Sequence, residues 1–105
     1  MAPVDTAIHE ILLDAIHRRR LIRFLFDGKE RTAEPHDYGV QNGVTRLLAY
    51  QTGGQSSGRL PGWRWFDVTR TSNLSLLDQP FPGNRPSPTG KHHQWDTVFA
   101  RVSQR

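Results

Sequence analysis

Two dipeptides constrain this chain more than anything else in it. Asp27-Gly28 and Asn42-Gly43 each interrupt stretches in which apolar and polar residues alternate, and both pairs tolerate the positive φ angles that a two-residue hairpin turn demands. From Leu21 the period is two, with Ile22, Phe24 and Phe26 pointing to one face and Leu21, Arg23 and Leu25 to the other. This predicts a strand that turns at Asp27-Gly28 and returns through residues 30–33. After the second turn, residues 44–51 alternate again and place Val44, Arg46, Leu48 and Tyr50 on a shared face. Pro35 lies between the turns and cannot donate to a ladder, so it predicts a bend or an edge position.

The segment before these strands has a different period. Ile8, Ile11, Leu12, Ala15 and Ile16 draw one apolar stripe behind the N-capping candidate Asp5, which predicts a helix over about 6–19. His17, Arg18, Arg19 and Arg20 fall in its last turn, where positive charge suits the negative end of the macrodipole.

Residues 53–62, GGQSSGRLPG, read as the loop of a long hairpin. Residues 53–59 have the spacing of a phosphate-cradling Gly-rich loop, but the Lys-Ser/Thr ending is missing and Pro61-Gly62 forbids the helix that such a loop opens. Beyond it, PGWRWFDVTRTSNLSLL alternates so that Arg64, Phe66, Val68 and Arg70 share one face, and Trp63, Trp65, Asp67 and Thr69 the other. A bend at Thr71-Ser72 and a fifth strand over 73–77 follow.

The division of the chain is then 1–78 as helix plus barrel and 79–105 as an arm. Residues 79–94 hold four of the seven prolines and little core material, whereas WDTVFARV is apolar enough to dock on the body as a last strand. A helix or the C-terminal segment packing on Trp63 and Trp65 would use their surface, and an exposed stacking platform is the alternative. Five short strands with tight turns behind one amphipathic helix predict a mainly β fold, a small five-stranded antiparallel barrel, because closure removes the edges an open sheet of this size would expose.

The 105 residues suffice for one domain with a small core: Leu, Ile, Val and Phe together make 25 of them. There is no cysteine, hence no disulfide framework and no thiolate nucleophile or metal ligand. No apolar run approaches the roughly 20 residues that cross a bilayer, and the N-terminus lacks a signal pattern, so the expectation is a cytoplasmic protein with no membrane partner. The net charge of +4 comes from twelve arginines and two lysines, planar forks suited to phosphate or carboxylate.

The succession LLDAIHRRRLIRFLFDGKERTAEPHDYG, then NGVTRLLAY, then RWFDVTR, resembles the WYL domain, a small ligand-sensing barrel of the Sm or SH3 type. The resemblance covers roughly residues 8–78 and rests on the order of the pieces as well as their residue types. The namesake Trp-Tyr-Leu triplet would fall at Thr45, Arg46 and Leu47, where only the leucine is kept. In the closing motif Arg64, Phe66 and Arg70 match, while Asp67 stands where the family has an inner arginine. The resemblance implies a sensor of nucleotides or nucleic acid. Such domains are commonly attached to a DNA-binding helix-turn-helix, which these residues do not hold, so a stand-alone regulatory module is expected.

The residues themselves lead to a compatible place. Arg46, Arg64 and Arg70 share strand faces with apolar residues, so each must reach a barrel mouth or be paired. Either they converge as an anion site, with Tyr38 or Tyr50 available for stacking, or they pair with Glu34, Asp37, Asp67 or backbone carbonyls. The expected ligand is phosphate-bearing, a nucleotide or single-stranded nucleic acid. The alternative is a protein-interaction barrel that binds a protein partner or dimerises through a strand edge and the arm. Catalysis is not expected: His36-Asp37 has no partner that spacing assigns, and His92, His93 and Asp96, the only metal-binding candidates, sit in or beside a Pro- and Gly-rich stretch. No cofactor is implied.

Overall fold

The computed structural model describes residues 5–56, 58–83 and 95–102. The helix α1 runs over Thr6–Arg18, started by Asp5, whose carboxylate accepts from the Ala7 amide at 2.7 Å. It ends at Arg19, which adopts a left-handed conformation with φ 56° and so turns the chain directly into the first strand. Leu12, Ala15 and Ile16 are buried, so the apolar stripe is the face that meets the sheet.

Six strands follow: β1 (Arg20–Phe26), β2 (Lys29–Gln41), β3 (Val44–Gly54), β4 (Gly62–Asp67), β5 (Thr71–Pro80) and β6 (Thr97–Arg101), with a 3-10 turn at Val68–Arg70 between β4 and β5. Both hairpin turns form as their dipeptides dictate. Asp27 and Gly28 have φ 53° and 72°, Asn42 and Gly43 have 52° and 76°, and the flanking registers are Phe26 opposite Lys29 and Gln41 opposite Val44.

The sheet is antiparallel throughout, in the order β4-β3-β2-β1-β5, with β6 added to β2. It is bent by irregularities in the β1–β5, β2–β3 and β2–β6 ladders. The path is not closed: β4 and β5 lie at its two ends and are joined by the 3-10 turn instead of by ladder bonds, with Phe66 and Val68 buried in the core and Leu74 and Leu76 packed against it.

Pro35 sits where its missing N–H does no harm. One edge of β2 is fully used by β3, while the other is shared, by β1 up to Ala33 and by β6 from Asp37 onward. Pro35 falls in the gap between these two partners, beside the bulge that separates Pro35 from Asp37 in the β2–β3 ladder.

The core is drawn from α1 and five strands: Leu12, Ala15 and Ile16 of α1, Ile22 and Phe24 of β1, Tyr38 of β2, Leu47 and Ala49 of β3, Phe66 of β4, and Ala100 of β6. Beyond residue 78, β5 continues to Pro80, and Phe81 is buried with its amide donating to the Arg19 carbonyl at 2.9 Å. Of the expected arm, residues 84–94 and 103–105 lie outside the described residues. On the outer face Trp95 packs against Trp65, ring centroids 5.7 Å apart, so the C-terminal segment covers part of the tryptophan surface.

Candidate anion-binding site

The two-residue turn at Asp27-Gly28 fixes what faces what. Phe24 is opposite Arg31 and Ile22 opposite Ala33, so Arg31 is carried onto the same face as the phenylalanines of β1 and into the body of the domain. It is only 7% exposed. Its guanidinium carbon lies 5.5 Å from the centroid of Phe26 and 5.6 Å from that of Phe66, and those two rings meet edge to face at 5.1 Å.

The hydrogen-bond partners of Arg31 are neutral and long. Nη1 donates to Gln51 Oε1 and Nη2 to the Phe26 carbonyl, each at 3.3 Å, and Nε has no partner among the described residues. Gln51 is itself buried and oriented, since its Nε2 donates to the carbonyls of Gly53 and Gln55, both at 3.0 Å, which leaves its oxygen for the arginine. Burial lowers the pKa of Arg31 below its usual value; the Asp27 carboxylate opposes that shift, and the Arg64 charge adds to it. Arg31 thus lies within electrostatic reach of both.

Arg70 and Arg64 complete the cluster. Arg70 ends the 3-10 turn, forms an ion pair with Asp27 and stands 4.9 Å from the centroid of the Phe26 ring. Arg64 of β4, opposite Ala49, is held by neutral oxygens: Nη1 donates to the Trp63 carbonyl at 2.8 Å, and Nη2 to the Arg59 carbonyl at 2.9 Å and to Ser56 Oγ at 3.1 Å. Arg31 and Arg70 therefore gather at the Phe26 ring, Arg31 also at Phe66, and Arg64 is near enough for its charge to act on Arg31; among the described residues Asp27 is the carboxylate that offsets them.

This differs from the constellation that alternation suggests. Arg46 does not join it. It stands opposite Asp67 in the β3–β4 ladder, on the other face of β3 from Thr45, Leu47, Ala49 and Gln51, and donates to Gln41 at 3.3 Å. Arg70 reaches the cluster by another route than a strand face, because the alternation stops at Asp67, whose carboxylate caps the 3-10 turn by accepting from the Thr69 amide at 3.0 Å.

Arg31 escapes the sequence reading, although counting outward from the two-residue turn places it directly opposite Phe24. Tyr38 is not available for stacking on a ligand: it is fully buried, with its hydroxyl 2.7 Å from His9 Nδ1, because the bulge at Pro35–Asp37 turns it into the core. Tyr50 is half-buried against Trp63, centroids 5.4 Å apart, on the outer face away from the arginines. His36 is buried between the rings of Trp63 and Phe81, with Nδ1 bonded to the Glu34 carbonyl at 2.9 Å. His92 and His93 lie outside the described residues, and Asp96 accepts from the Gly43 amide at 2.9 Å.

The helix-capped, bent antiparallel sheet, with a 3-10 turn before its last path strand, defines a small mainly β fold whose sheet stays open where the sequence predicts a closed barrel. Among solved structures the chain is similar to the proteasome accessory factor B/C (PafBC) of Arthrobacter aurescens, with a TM-score of 0.61 and 20% identity over 72% of this chain. The match spans only 12% of that protein's length. At this identity the likeness concerns the fold. No protein-family model matches the chain, and no curated protein matches it.

Proposed function

We propose that this domain is a regulatory binding module that takes a phosphate-bearing ligand, a nucleotide or single-stranded nucleic acid, at the Arg31, Arg64 and Arg70 cluster. The observation that carries the reading is the imbalance of charge there: the guanidinium groups of Arg31 and Arg70 at the Phe26 ring, with the charge of Arg64 acting on Arg31, are offset among the described residues by the carboxylate of Asp27. Low-dielectric walls strengthen the attraction of such a cluster for an anion. The WYL resemblance supports the same class of ligand, and the likeness to PafBC supports the fold that would present it.

The test replaces Arg64 and Arg70 together with glutamine, which keeps length and much hydrogen-bonding capacity while removing two charges. Binding of a short single-stranded oligonucleotide weakens, and its salt slope becomes shallower by about 1.4, at roughly 0.7 for each phosphate no longer neutralised. An unchanged affinity and slope in a folded double variant rejects the site.

A second reading has its own observation. Val98 and Phe99 of β6 are 40% and 39% exposed and Trp65 is 37% exposed, large apolar side chains that a protein contact would cover. A stable higher mass on a sizing column, independent of nucleotide or oligonucleotide, favours that reading.

A further inference from the structure

We infer that the arginine cluster selects a terminal phosphate monoester, at the end of a nucleic-acid strand or on a mononucleotide, over the diester of an internal backbone phosphate, and that Arg31 makes the distinction. The inference rests on the reading of the cluster as a phosphate site. Three observations carry it.

The first is depth. The Arg31 side chain belongs to a residue more than nine-tenths buried, behind the Phe26 and Phe66 rings, and its Nε proton meets no acceptor among the described residues. A buried donor without a partner is unfavourable, the more so on a charged group, so the free protein holds a defect that an incoming oxygen corrects. An internal phosphodiester carries a sugar on each side and presents its oxygens on the flank of a chain. A terminal phosphate projects three oxygens beyond the last carbon and can enter end-on.

The second is charge. Arg31, Arg64 and Arg70 against Asp27 leave two positive charges, and the neighbouring residues on β2, Lys29 and Glu30, cancel one another. A phosphomonoester carries about −1.5 to −2 at neutral pH, which matches the excess, whereas a diester carries a single charge.

The third is availability. The contacts of Arg64 are to hydroxyl and carbonyl oxygens, so its fork can swing to a ligand without stranding a carboxylate. Arg31 likewise donates to neutral oxygens. Fork-shaped guanidinium donors suit the several oxygens of a terminal phosphate.

The experiment measures the wild-type domain against the same short single-stranded oligonucleotide with and without a terminal phosphate, by fluorescence anisotropy at one fixed salt concentration. The phosphorylated form binds at least about tenfold tighter, the effect of roughly 1.4 kcal/mol. In Arg31→Gln the ratio falls below about threefold, and in Arg46→Gln, on the other sheet face, the ratio is kept. Competition on the wild type needs no variant: methyl phosphate displaces the phosphorylated oligonucleotide and dimethyl phosphate, the diester analogue, does not.

Displacement by a nucleoside monophosphate assigns the site to mononucleotides; its failure beside tight binding of the phosphorylated strand assigns it to strand ends. Equal binding of both oligonucleotides overturns the selectivity and leaves the phosphate site standing. No binding of either overturns both. A ratio that survives Arg31→Gln, or equal competition by the two methyl esters, removes Arg31 from the role.

Discussion

Phe24 and Phe66 are equally buried, at 1% exposure each, so area alone predicts that replacing either by leucine costs the same. The ring contacts predict otherwise. Phe24 meets the ring of Phe66 edge to face at 4.8 Å. Phe66 meets that ring and also Phe26 at 5.1 Å, and it carries the Arg31 guanidinium at 5.6 Å.

Phe24→Leu removes the pair the two variants share, at about 0.5–1.5 kcal/mol, on top of a near volume-conserving swap of less than about 1.5 kcal/mol. Phe66→Leu removes in addition one more ring pair and a desolvated cation–π contact, together about 1–3.5 kcal/mol. With a total stability of about 5–15 kcal/mol expected for a chain of this length, both variants remain folded enough to measure. Urea unfolding followed by tryptophan fluorescence, with equal m-values required of both, reads the difference directly; in melting temperature it amounts to roughly 4–8 °C per kcal/mol. Costs that agree within about 0.5 kcal/mol would refute the account of Phe66 as the ring that joins Phe24, Phe26 and the Arg31 guanidinium.

Gly39 and Tyr38, neighbours on β2, each support a further test. A methyl group on Gly39 would collide with the Thr97 carbonyl oxygen and press on the Trp95 ring at 3.0 Å, so Gly39→Ala pushes β6 off β2 at a cost of about 1–3 kcal/mol; hydrogen exchange reads it at the Asp96 and Val102 amides, which donate to the Val40 and His36 carbonyls, and unchanged protection refutes it. Burial pushes the Tyr38 phenol up to about 12 from 10.0. The unfolded chain therefore releases this proton first, so the contribution is intact below about pH 10 and is lost as the pH rises toward 12. The urea midpoint should drop more between pH 9 and pH 11 for the parent than for Tyr38→Phe, and equal drops contradict the assignment.

The legible features are those that local chemistry decides. Asp27-Gly28 and Asn42-Gly43 set their turns through backbone conformations that few other pairs accept, and the stripe from Ile8 to Ile16 sets the helix face; each needs only a few neighbours. The fold class follows, and with it the core positions of Ile22 and Phe24.

The illegible features come from shifts of parity that the fold itself introduces. One extra residue at the Pro35–Asp37 bulge changes the parity of β2 and sends Tyr38 inward. Three residues of 3-10 turn after Asp67 break the alternation that would align Arg70 with Arg64. Residue type groups Arg46 with those arginines, although its face is set by the odd spacing from Ala49. Arg31 is hidden differently: it stands in a polar stretch, KERT, where a charged residue attracts no notice until the hairpin register puts it opposite Phe24.

The shared edge of β2 gives the domain an order of assembly during synthesis. The half of that edge facing β1 is satisfied as soon as the first hairpin leaves the ribosome, but the half from Asp37 to Val40 waits for β6, about sixty residues later. At 5–20 residues per second the wait is roughly 3–12 s. For that interval a nascent domain presents an unpaired strand segment beside an uncovered Tyr38, and the strand that fits it best on any neighbouring ribosome of the same message is another copy of 97–101. Exchange of this last strand between sister chains is the misassembly to which such a topology is most open.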